Sequence, residues 1–421
     1  MKEKILFTTS IGDKYDYFKE NTRSFFSPKL FRSQSIGLQF LKQNIPNIEI
    51  LEYPSEKQFV ENLNKGWDIV GFSFFLHETK QIQKMIELAR RQNIQEIWGG
   101  NYGILTPFIQ PYFDRTFIGC AEREIGQILG KTVADIVHPP LVSYQCSPLS
   151  LLKIRHFALL FTSRGCRHHC AFCQTPSFIK YPDFISLESI EKVLKYYKKL
   201  GIPSILILDE NFGVFQEHSR AVVNLLRKYQ FHWSAMTNIR YLKDNLEEWS
   251  QTGFYGALVG IENLSASNLK SISKPQDKEE IFEIRNKIKK KLLFTLGFYM
   301  IGFENDTLDS IEYSFEQLVK LDLDFYQLCI LTPFPQTPLW FYLDKKYGIF
   351  EKDFTKFDTK NLVWNHPSIS PAQMKCLLET GLKKINPFKK IMRLLGPWKN
   401  GALHYLNHLI KANAFNLRNL I

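Results

Sequence analysis

The alternation of short apolar strands with amphipathic helices is the feature that most constrains how this chain can fold. Six β-rich runs recur between residues 157 and 331, and helical patterns such as 187–200 and 277–291 lie between them. Strands that alternate with helices form parallel sheets, and six such units fit a partial or complete parallel barrel. The predicted strands are 157–162, 204–208, 232–236, 256–261, 293–300 and 325–331.

A second alternating series occupies residues 1–135. Short runs at 4–8, 48–52, 68–76, 96–98 and 115–118 predict strands, and apolar residues at helical spacing predict a helix over 78–92. This order predicts an open, doubly wound, Rossmann-like α/β domain. Proline-containing residues 136–156 predict a linker, residues 157–340 the (β/α)6 barrel, and residues 341–421 a mostly helical C-terminal region.

Composition narrows the class of protein. Apolar residues make up 44% and charged residues 23% of the 421, as in folded globular proteins. Apolar stretches such as 69–76 are far shorter than the roughly 20 residues of a membrane span. The first residues lack the pattern of a signal peptide, and four of the seven cysteines are scattered singly, which does not suit a disulfide framework. We therefore expect a reducing, cytoplasmic location.

The net charge of +12 is concentrated near the end of the chain, where eight basic residues and no acidic residue follow Glu379. Apolar residues interleave with these charges. The pattern suits peripheral contact with anionic lipid, contact with nucleic acid, or a helical cap on the barrel with a solvated basic face. The cap is the favoured interpretation, membrane contact remains open, and we expect no nucleic acid partner.

Three cysteines lie within eight residues, directly after the first barrel strand: Cys166, Cys170 and Cys173. Loops at this end of barrel strands carry the chemistry of such folds. A [4Fe–4S] cluster normally takes four thiolates, so three would leave one iron open for catalysis. Zinc bound with His168 or His169 is the alternative, but zinc motifs usually pair two separate short ligand clusters. We predict an iron–sulfur cluster, with both histidines as solvated loop residues.

The cysteine motif resembles the hallmark of the radical S-adenosylmethionine (SAM) superfamily, CxxxCxxC with an aromatic residue, here Phe172, before the last cysteine. The resemblance implies that the open iron binds the amino and carboxylate groups of SAM. It implies that electron transfer from a flavodoxin-type or ferredoxin-type donor then cleaves SAM to a 5′-deoxyadenosyl radical.

Further segments resemble the superfamily in chain order, over residues 150–340. The acidic segment after the second strand, the end of the third strand, a GIES-like segment and the glycine that ends the fifth strand match, whereas Gln336 replaces a usual glycine. By resemblance, the residues near SAM are Asp209, Glu210, Asn211, Arg240, Glu262 and Gly302. Asp209 as a helix cap and Glu262 as a polar rim residue are the alternatives.

A doubly wound domain before such a barrel resembles the cobalamin-binding subclass. Ser73 lies at the position of that subclass's SxL element, and Gly99 and Gly100 lie at its GG element. The DxHxxG element is missing, so the resemblance implies cobalamin without an axial histidine; His77 is interpreted as a surface residue at a helix start. The alternative is an α/β domain that only braces the barrel. A methylthiotransferase is disfavoured, because Cys120 alone cannot supply a second cluster.

The sequence therefore predicts a cobalamin-dependent radical SAM enzyme, a methyltransferase acting on an unactivated carbon of a small-molecule, natural-product or lipid-like substrate. A cyclase or rearrangement enzyme that uses the first domain as scaffold is one alternative, and a non-catalytic iron–sulfur redox protein is another. No residue pattern identifies the substrate or a catalytic side chain.

Overall fold

The computed structural model describes residues 3–11, 31–32, 34–145, 157–274, 276–387 and 390. The strands are β1 Ile5–Thr8, β2 Phe31–Arg32, β3 Ile48–Leu51, β4 Ile69–Ser73, β5 Glu96–Gly100, β6 Arg115–Thr116, β7 Leu141–Gln145, β8 Phe157–Leu160, β9 Ser163–Arg164, β10 Asp183–Phe184, β11 Ser204–Ile207, β12 His232–Thr237, β13 Phe254–Glu262, β14 Phe294–Ile301 and β15 Phe325–Ile330.

The α-helices are α1 Ile36–Asn44, α2 Glu56–Leu63, α3 Thr79–Arg91, α4 Glu122–Ile128, α5 Thr175–Phe178, α6 Leu187–Lys199, α7 Gln216–Lys228, α8 Ile239–Ser250, α9 Ala266–Ser271, α10 Lys278–Lys290, α11 Leu308–Leu321, α12 Pro338–Lys346 and α13 Pro371–Ile385. Short 3-10 helices cover Leu76–Glu78, Tyr102–Leu105, Gln110–Tyr112 and Phe354–Lys356. Among the described residues, no helix combines the length and the apolar character that a membrane crossing requires.

The first sheet is parallel throughout, in the order β3-β1-β4-β5-β6. Ile5, Leu6 and Phe7 of β1 are all buried, because apolar side chains cover both faces of the sheet. Strands buried on both faces are continuous apolar runs, as a doubly wound fold requires. The predicted Rossmann-like domain is confirmed, with its strands and the helix α3 within a few residues of their predicted bounds.

The second sheet contains the six predicted barrel strands as parallel neighbours, β8-β11-β12-β13-β14-β15. Phe157, Phe294 and Phe325 are the first residues of their strands, and they belong to a buried cluster distinct from the larger core. This cluster fills the barrel at the amino ends of the strands. The carboxyl ends are therefore the open end, where a site can form.

The predicted linker, 136–156, differs from the structure in one respect. Residues Leu141–Gln145 form β7, which pairs antiparallel with β8 and carries β2 at its outer edge. Leu141 and Val142 are buried, but a run this short beside Pro139 and Pro140 gives little periodicity to detect. Residues 146–156 lie outside the described residues, and the domain boundaries remain predictions.

Helix α13 covers the outer end of the barrel sheet. The side chain of Asn386 accepts a hydrogen bond from the backbone N–H of Tyr326 at 2.9 Å and donates one to its carbonyl at 2.8 Å. Gly381 lies so close to the ring of Phe315 that an added Cβ would be 2.4 Å from it. The described part of residues 341–421 is thus a mixture of loop and helix, and most of the basic segment after Ile385 lies outside the described residues.

Candidate cluster and cofactor site

The cysteine loop begins immediately after β9 and is hydrogen-bonded to two other parts of the barrel. Gly165 has a φ of 92°, and a Cβ there would be 2.8 Å from the side chain of Ile179, so only glycine fits. The N–H of Ala171 donates to the carbonyl of Ile272 at 3.0 Å, and its carbonyl accepts from the N–H of Leu339 at 2.9 Å. Because the loop is held on both sides, its cysteines have defined positions.

A cavity of about 210 Å³ opens at the carboxyl end of the barrel. Seven of the residues assigned to a cofactor or cluster line it together: Cys166, Cys170, Cys173, Glu210, Asn211, Arg240 and Glu262. The other five assigned residues do not line it: Asp209, Gly302, Ser73, Gly99 and Gly100. Most of the barrel residues that we assigned to SAM or the cluster therefore lie at one site, although their roles remain predictions.

The three thiols are half-buried in this cavity. Burial raises the pKa of each, and that of Cys170 to about 11, because the thiolate loses hydration. Thiols of this kind become ligands only when a metal displaces their protons. In the described part of the chain, no group of three or more His, Cys, Asp or Glu side chains is arranged to hold a metal ion, so the ligand assignment stays a prediction.

Glu262 is held in an unusual backbone conformation at the end of β13. Its φ is 59°, and the pairing with β14 shifts register between Gly260 and Glu262. A residue in this left-handed region costs about 1–3 kcal/mol, and such residues concentrate at functional sites. Lys274 lies 2.5 Å from the Glu262 carboxylate and donates to the carbonyl of Gly260 at 2.9 Å. Both side chains of the ion pair are only 11% exposed.

The sequence did not single out Lys274, although it lines the cavity. It lies after α9, outside every motif, and only the fold brings its ammonium to Glu262. Gly260 leaves room for this arrangement, because a Cβ there would be 2.3 Å from the Glu262 carboxylate and 2.5 Å from the Lys274 ammonium, and the ends of both side chains would have to shift. The one sequence signal for this ion pair was a small residue, Gly260, two positions before Glu262.

The two acids after β11 have different surroundings. Asp209 is 2% exposed, and its carboxylate accepts hydrogen bonds from the N–H and hydroxyl groups of Thr162 and Ser163. It therefore fixes the end of β8 behind the cavity. Glu210 lines the cavity and accepts from the N–H of Gly165 at 2.9 Å, which ties it to the cysteine loop. Burial raises the pKa of Glu210 to about 7.

The polar residues of the third strand end complete one wall of the cavity. The side chain of Asn211 accepts from the N–H of Asn238 at 2.9 Å, and that of Asn238 caps α8 by accepting from the N–H of Arg240 at 2.8 Å. His168 also lines the cavity, and its Nε2 is 3.0 Å from the hydroxyl of Tyr241. His169 is exposed, as the interpretation of a solvated loop residue requires.

Gly302 ends β14 outside the cavity, in a tight turn. Its φ is 84°, its N–H donates to Asp306 at 2.9 Å, and a Cβ would be 2.9 Å from the side chain of Met374. Packing under α13 thus explains the glycine without a cofactor. A direct contact between Gly302 and SAM remains a prediction.

Ser73, Gly99 and Gly100 lie where predicted, at the carboxyl ends of the adjacent strands β4 and β5. The hydroxyl of Ser73 accepts from the side chain of Asn101 at 3.2 Å. A Cβ on Gly99 would be 2.8 Å from the ring of Phe113, so packing within the domain explains this glycine. Gly100 has space, because the nearest atom to an added Cβ is 3.8 Å away. An added Cβ on Gly100 would thus be in ordinary contact with Phe117, so packing alone does not demand glycine there.

This edge of the first domain lies beside the cysteine loop. The ring of Tyr102, just after β5, is 4.3 Å from that of Phe178, and its hydroxyl is 3.3 Å from the hydroxyl of Thr175. Thr175 lines the barrel cavity, two residues after Cys173. His77 lies on the same edge, where its ring stacks on the exposed ring of Phe75 at 6.2 Å. The carboxyl ends of the two sheets therefore meet.

Residues 160–318 match the model of the radical SAM superfamily. The chain is 26% identical over 276 residues to the uncharacterized methyltransferase PH0819 of Pyrococcus horikoshii, covering 62% of this chain and 59% of that protein. It is 23% identical to the bacteriochlorophyllide d C-12(1)-methyltransferase of Chlorobaculum tepidum, covering 58% of this chain and 54% of that protein. The chain thus spans little more than half the length of these relatives.

One solved structure shares the arrangement of both domains. TsrM from Kitasatospora setae, a radical SAM methyltransferase with cobalamin and a [4Fe–4S] cluster bound, superimposes with a TM-score of 0.62 and 12% identity. The superposition covers 82% of this chain and 78% of TsrM, so it includes the first domain as well as the barrel. Residues 160–318 thus match the radical SAM superfamily, and the chain shares the two-domain fold of TsrM.

Proposed function

We propose that the protein is a cobalamin-dependent radical SAM methyltransferase. The observation that carries this proposal is that the three cysteines share one cavity with Glu210, Arg240 and Glu262. The edge that carries Ser73 and Gly100 lies directly beside their loop. Bound there, the cluster and SAM would supply the hydrogen-abstracting radical, and cobalamin would supply the methyl group.

The residues of the cavity fit a cluster and a zwitterionic cofactor. Cys166, Cys170 and Cys173 are the proposed ligands, and the N–H of His168 already points at the sulfur of Cys166 from 3.4 Å. N–H groups near cysteine sulfurs are a usual means of tuning such clusters. Glu262 presents a carboxylate to an ammonium, which Lys274 supplies in this structure. We propose that Glu262 accepts the amino group of SAM.

The ion pair of Lys274 with Glu262 also suggests that Lys274 and Arg240 bind the carboxylate of the cofactor. Both line the cavity, and each can bind a carboxylate without taking up a proton. When Glu262 turns to a cofactor ammonium, the released Lys274 ammonium would neutralise the cofactor carboxylate. Charge is then balanced within one partly buried site, where unpaired charges are costly.

The edge of the first domain fits a corrinoid only without an axial histidine. Gly100 exposes backbone without a side chain at the end of β5, and Ser73 offers a hydroxyl on the adjacent strand. His77 packs on Phe75 rather than standing free above the edge. Residues 12–30, where the DxHxxG element would lie, are outside the described residues. The fit therefore depends on shape and on contacts to the corrinoid periphery.

The proposed substrate is an unactivated carbon of a small molecule, natural product or lipid-like compound, and the proposed reductant is a flavodoxin or ferredoxin. Both are consistent with a cytoplasmic location, which we also propose. Peripheral membrane contact through the basic C-terminal segment remains part of the proposal, because Lys383 and Lys384 end α13 with that charge.

A second candidate is a radical SAM cyclase or rearrangement enzyme that uses the first domain only as scaffold. The specific observation in its favour is Gly99, whose lack of a side chain is fully explained by the ring of Phe113. Half of the Gly-Gly signal thus has a purely structural origin.

Bound corrinoid and 5′-deoxyadenosine, measured together, separate these candidates. The protein is purified anaerobically, its cluster reconstituted, and reductant, SAM and hydroxocobalamin added. Corrinoid retained after gel filtration, with 5′-deoxyadenosine formed, supports the methyltransferase. 5′-Deoxyadenosine without retained corrinoid supports the scaffold alternative, and a protein that binds no iron contradicts both.

A further inference from the structure

The cysteine loop is closed at its base by a short antiparallel pair of strands. In this pair, Arg164 of β9 lies directly opposite Asp183 of β10. Arg164 immediately precedes Gly165 and Cys166, so its position determines where the loop starts. Whatever holds Arg164 therefore also holds residues 165–182, which include all three cysteines of the cluster motif.

Arg164 is held from two directions. One guanidinium nitrogen donates to Asp183 and the other donates to Glu122, each at 2.6 Å. The guanidinium also lies over the ring of Phe40, 5.0 Å from its centroid. Asp183 belongs to the loop base, whereas Glu122 is the first residue of α4 in the N-terminal domain. A charge from one domain thus holds the base of the loop in the other.

This ion pair is buried and incompletely hydrogen-bonded. The side chains of Arg164 and Glu122 are 9% and 4% exposed. Among the described residues, the Nε of Arg164 and the second carboxylate oxygen of Glu122 have no hydrogen-bond partner. Buried charges that are not fully satisfied add little net stability, since desolvation offsets their attraction. Stabilisation alone is a weak explanation for this pair, whereas a fixed geometry at the domain junction explains both its burial and its orientation.

The ion pair of Glu122 with Arg164 also lies between the edge of the first sheet and the cysteine loop. Glu122 follows Gly119, where a Cβ would be 3.1 Å from the carbonyl of Phe178, so the approach to α4 contacts the short helix α5 after the cysteines. Further contacts between the domains here are the pairing of Arg123 with Asp183 at 3.0 Å and the packing of the Tyr102 ring on Phe178. Tyr102 contacts the far end of the loop and Glu122 its beginning.

We infer that Glu122 is a positioning residue: through Arg164, the N-terminal domain fixes the base of the cysteine loop. The distance between the cluster and the edge of the first sheet then depends on this buried ion pair, together with the more exposed pair of Arg123 with Asp183. Only this consequence for the position of the cluster rests on the proposed function. The hold of Glu122 on the loop can be measured whether or not the loop binds iron.

The test compares Glu122→Gln with Glu124→Gln in the full chain. Glu124 is on the same helix but exposed, so its substitution removes the same charge without touching Arg164. Amide hydrogen exchange is followed over residues 165–182, with the buried strands β11 and β13 as internal reference. We expect Glu122→Gln to speed exchange in the loop by about tenfold or more, with the reference unchanged and Glu124→Gln at the wild-type rate.

In the reconstituted protein, the same variant is expected to lose iron to a chelator about tenfold faster than Glu124→Gln, because a loosened loop exposes its ligands. Equal exchange in the two variants, or faster exchange spread evenly over loop and reference strands, would overturn the inference. Arg164→Lys is the second variant if Glu122→Gln does not fold, since one ammonium cannot bridge both acids. It is expected to loosen the same loop. If the chain binds no iron, the proposed function fails, but the exchange result still decides this inference.

Discussion

The two parallel sheets meet at their carboxyl ends, but these ends differ in what they present. The barrel end surrounds its cavity with thiols and charged groups, among them Cys170, Glu262 and Lys274. At the ends of β4 and β5, the first sheet presents Ser73, two glycines and aromatic rings such as Phe75, and His77 and Glu78 follow β4 closely. An end with ionisable groups can orient a charged cofactor directly. Backbone and rings, as at the ends of β4 and β5, accommodate a group that brings its own chemistry.

The largest expected effect falls on the barrel side. Cys170→Ala is expected to abolish both iron binding and the formation of 5′-deoxyadenosine, because two thiolates cannot hold the cluster. Cys376→Ala is the control, since Cys376 is exposed on α13 and does not line the cavity. Iron content and 5′-deoxyadenosine are measured in parallel. A Cys170→Ala protein that keeps a full cluster would remove Cys170 from the ligand set.

A smaller loss is expected at the charged wall of the same cavity. Glu262→Gln is expected to weaken SAM binding by about 30-fold or more, since removing one partner of a buried charge pair leaves the other unpaired. Glu304→Gln removes an acid that pairs with Lys346 outside the cavity and is expected to have no effect. Equilibrium binding of SAM measures the difference. Equal affinity in both variants would make Glu262 a polar rim residue.

In the first sheet, two adjacent glycines can be tested by adding a side-chain carbon instead of removing a functional group. Gly99→Ala is expected to lower the free energy of unfolding by about 1–3 kcal/mol, because its Cβ overlaps the ring of Phe113. Gly100→Ala is expected to leave stability nearly unchanged, because its Cβ has space. If a corrinoid fills that space, only Gly100→Ala combines unchanged stability with weaker corrinoid retention. Unchanged retention would favour the scaffold alternative.

The smallest expected effect concerns the contact of the first domain with the C-terminal region. Lys80 of α3 lies 2.8 Å from Asp353, and this hydrogen bond holds the pKa of Asp353 near 2, below its usual 3.8. The lowered pKa means that this contribution is present above about pH 4 and is lost as the pH falls toward 2. Asp353→Asn is expected to cost less than about 1 kcal/mol at pH 7, because the pair is exposed and screened. The cost is expected to vanish in acid denaturation curves near pH 2; a constant difference would contradict it.

The sequence predicted the barrel side of the molecule better than the first domain. The six barrel strands and the cysteine loop were found because each is encoded locally, in apolar runs and in ligand spacing. Lys274 was missed, because its contact with Glu262 spans 12 positions and depends on the turn after α9. Strand β7 was missed because its pairing with β8 is antiparallel and its pattern is brief. The ion pair of Glu122 with Arg164 joins two domains, and no local pattern encodes it.

The central claim is that the cavity of the barrel holds an open-iron cluster that binds SAM. Electron paramagnetic resonance of the reduced, reconstituted protein, recorded with and without SAM and paired with iron analysis, tests it most directly. We predict about four iron atoms per chain and a spectrum that changes when SAM is added, because SAM binds the iron that no cysteine covers. A full cluster whose spectrum SAM leaves unchanged, or a protein that takes up zinc in place of iron, would contradict it.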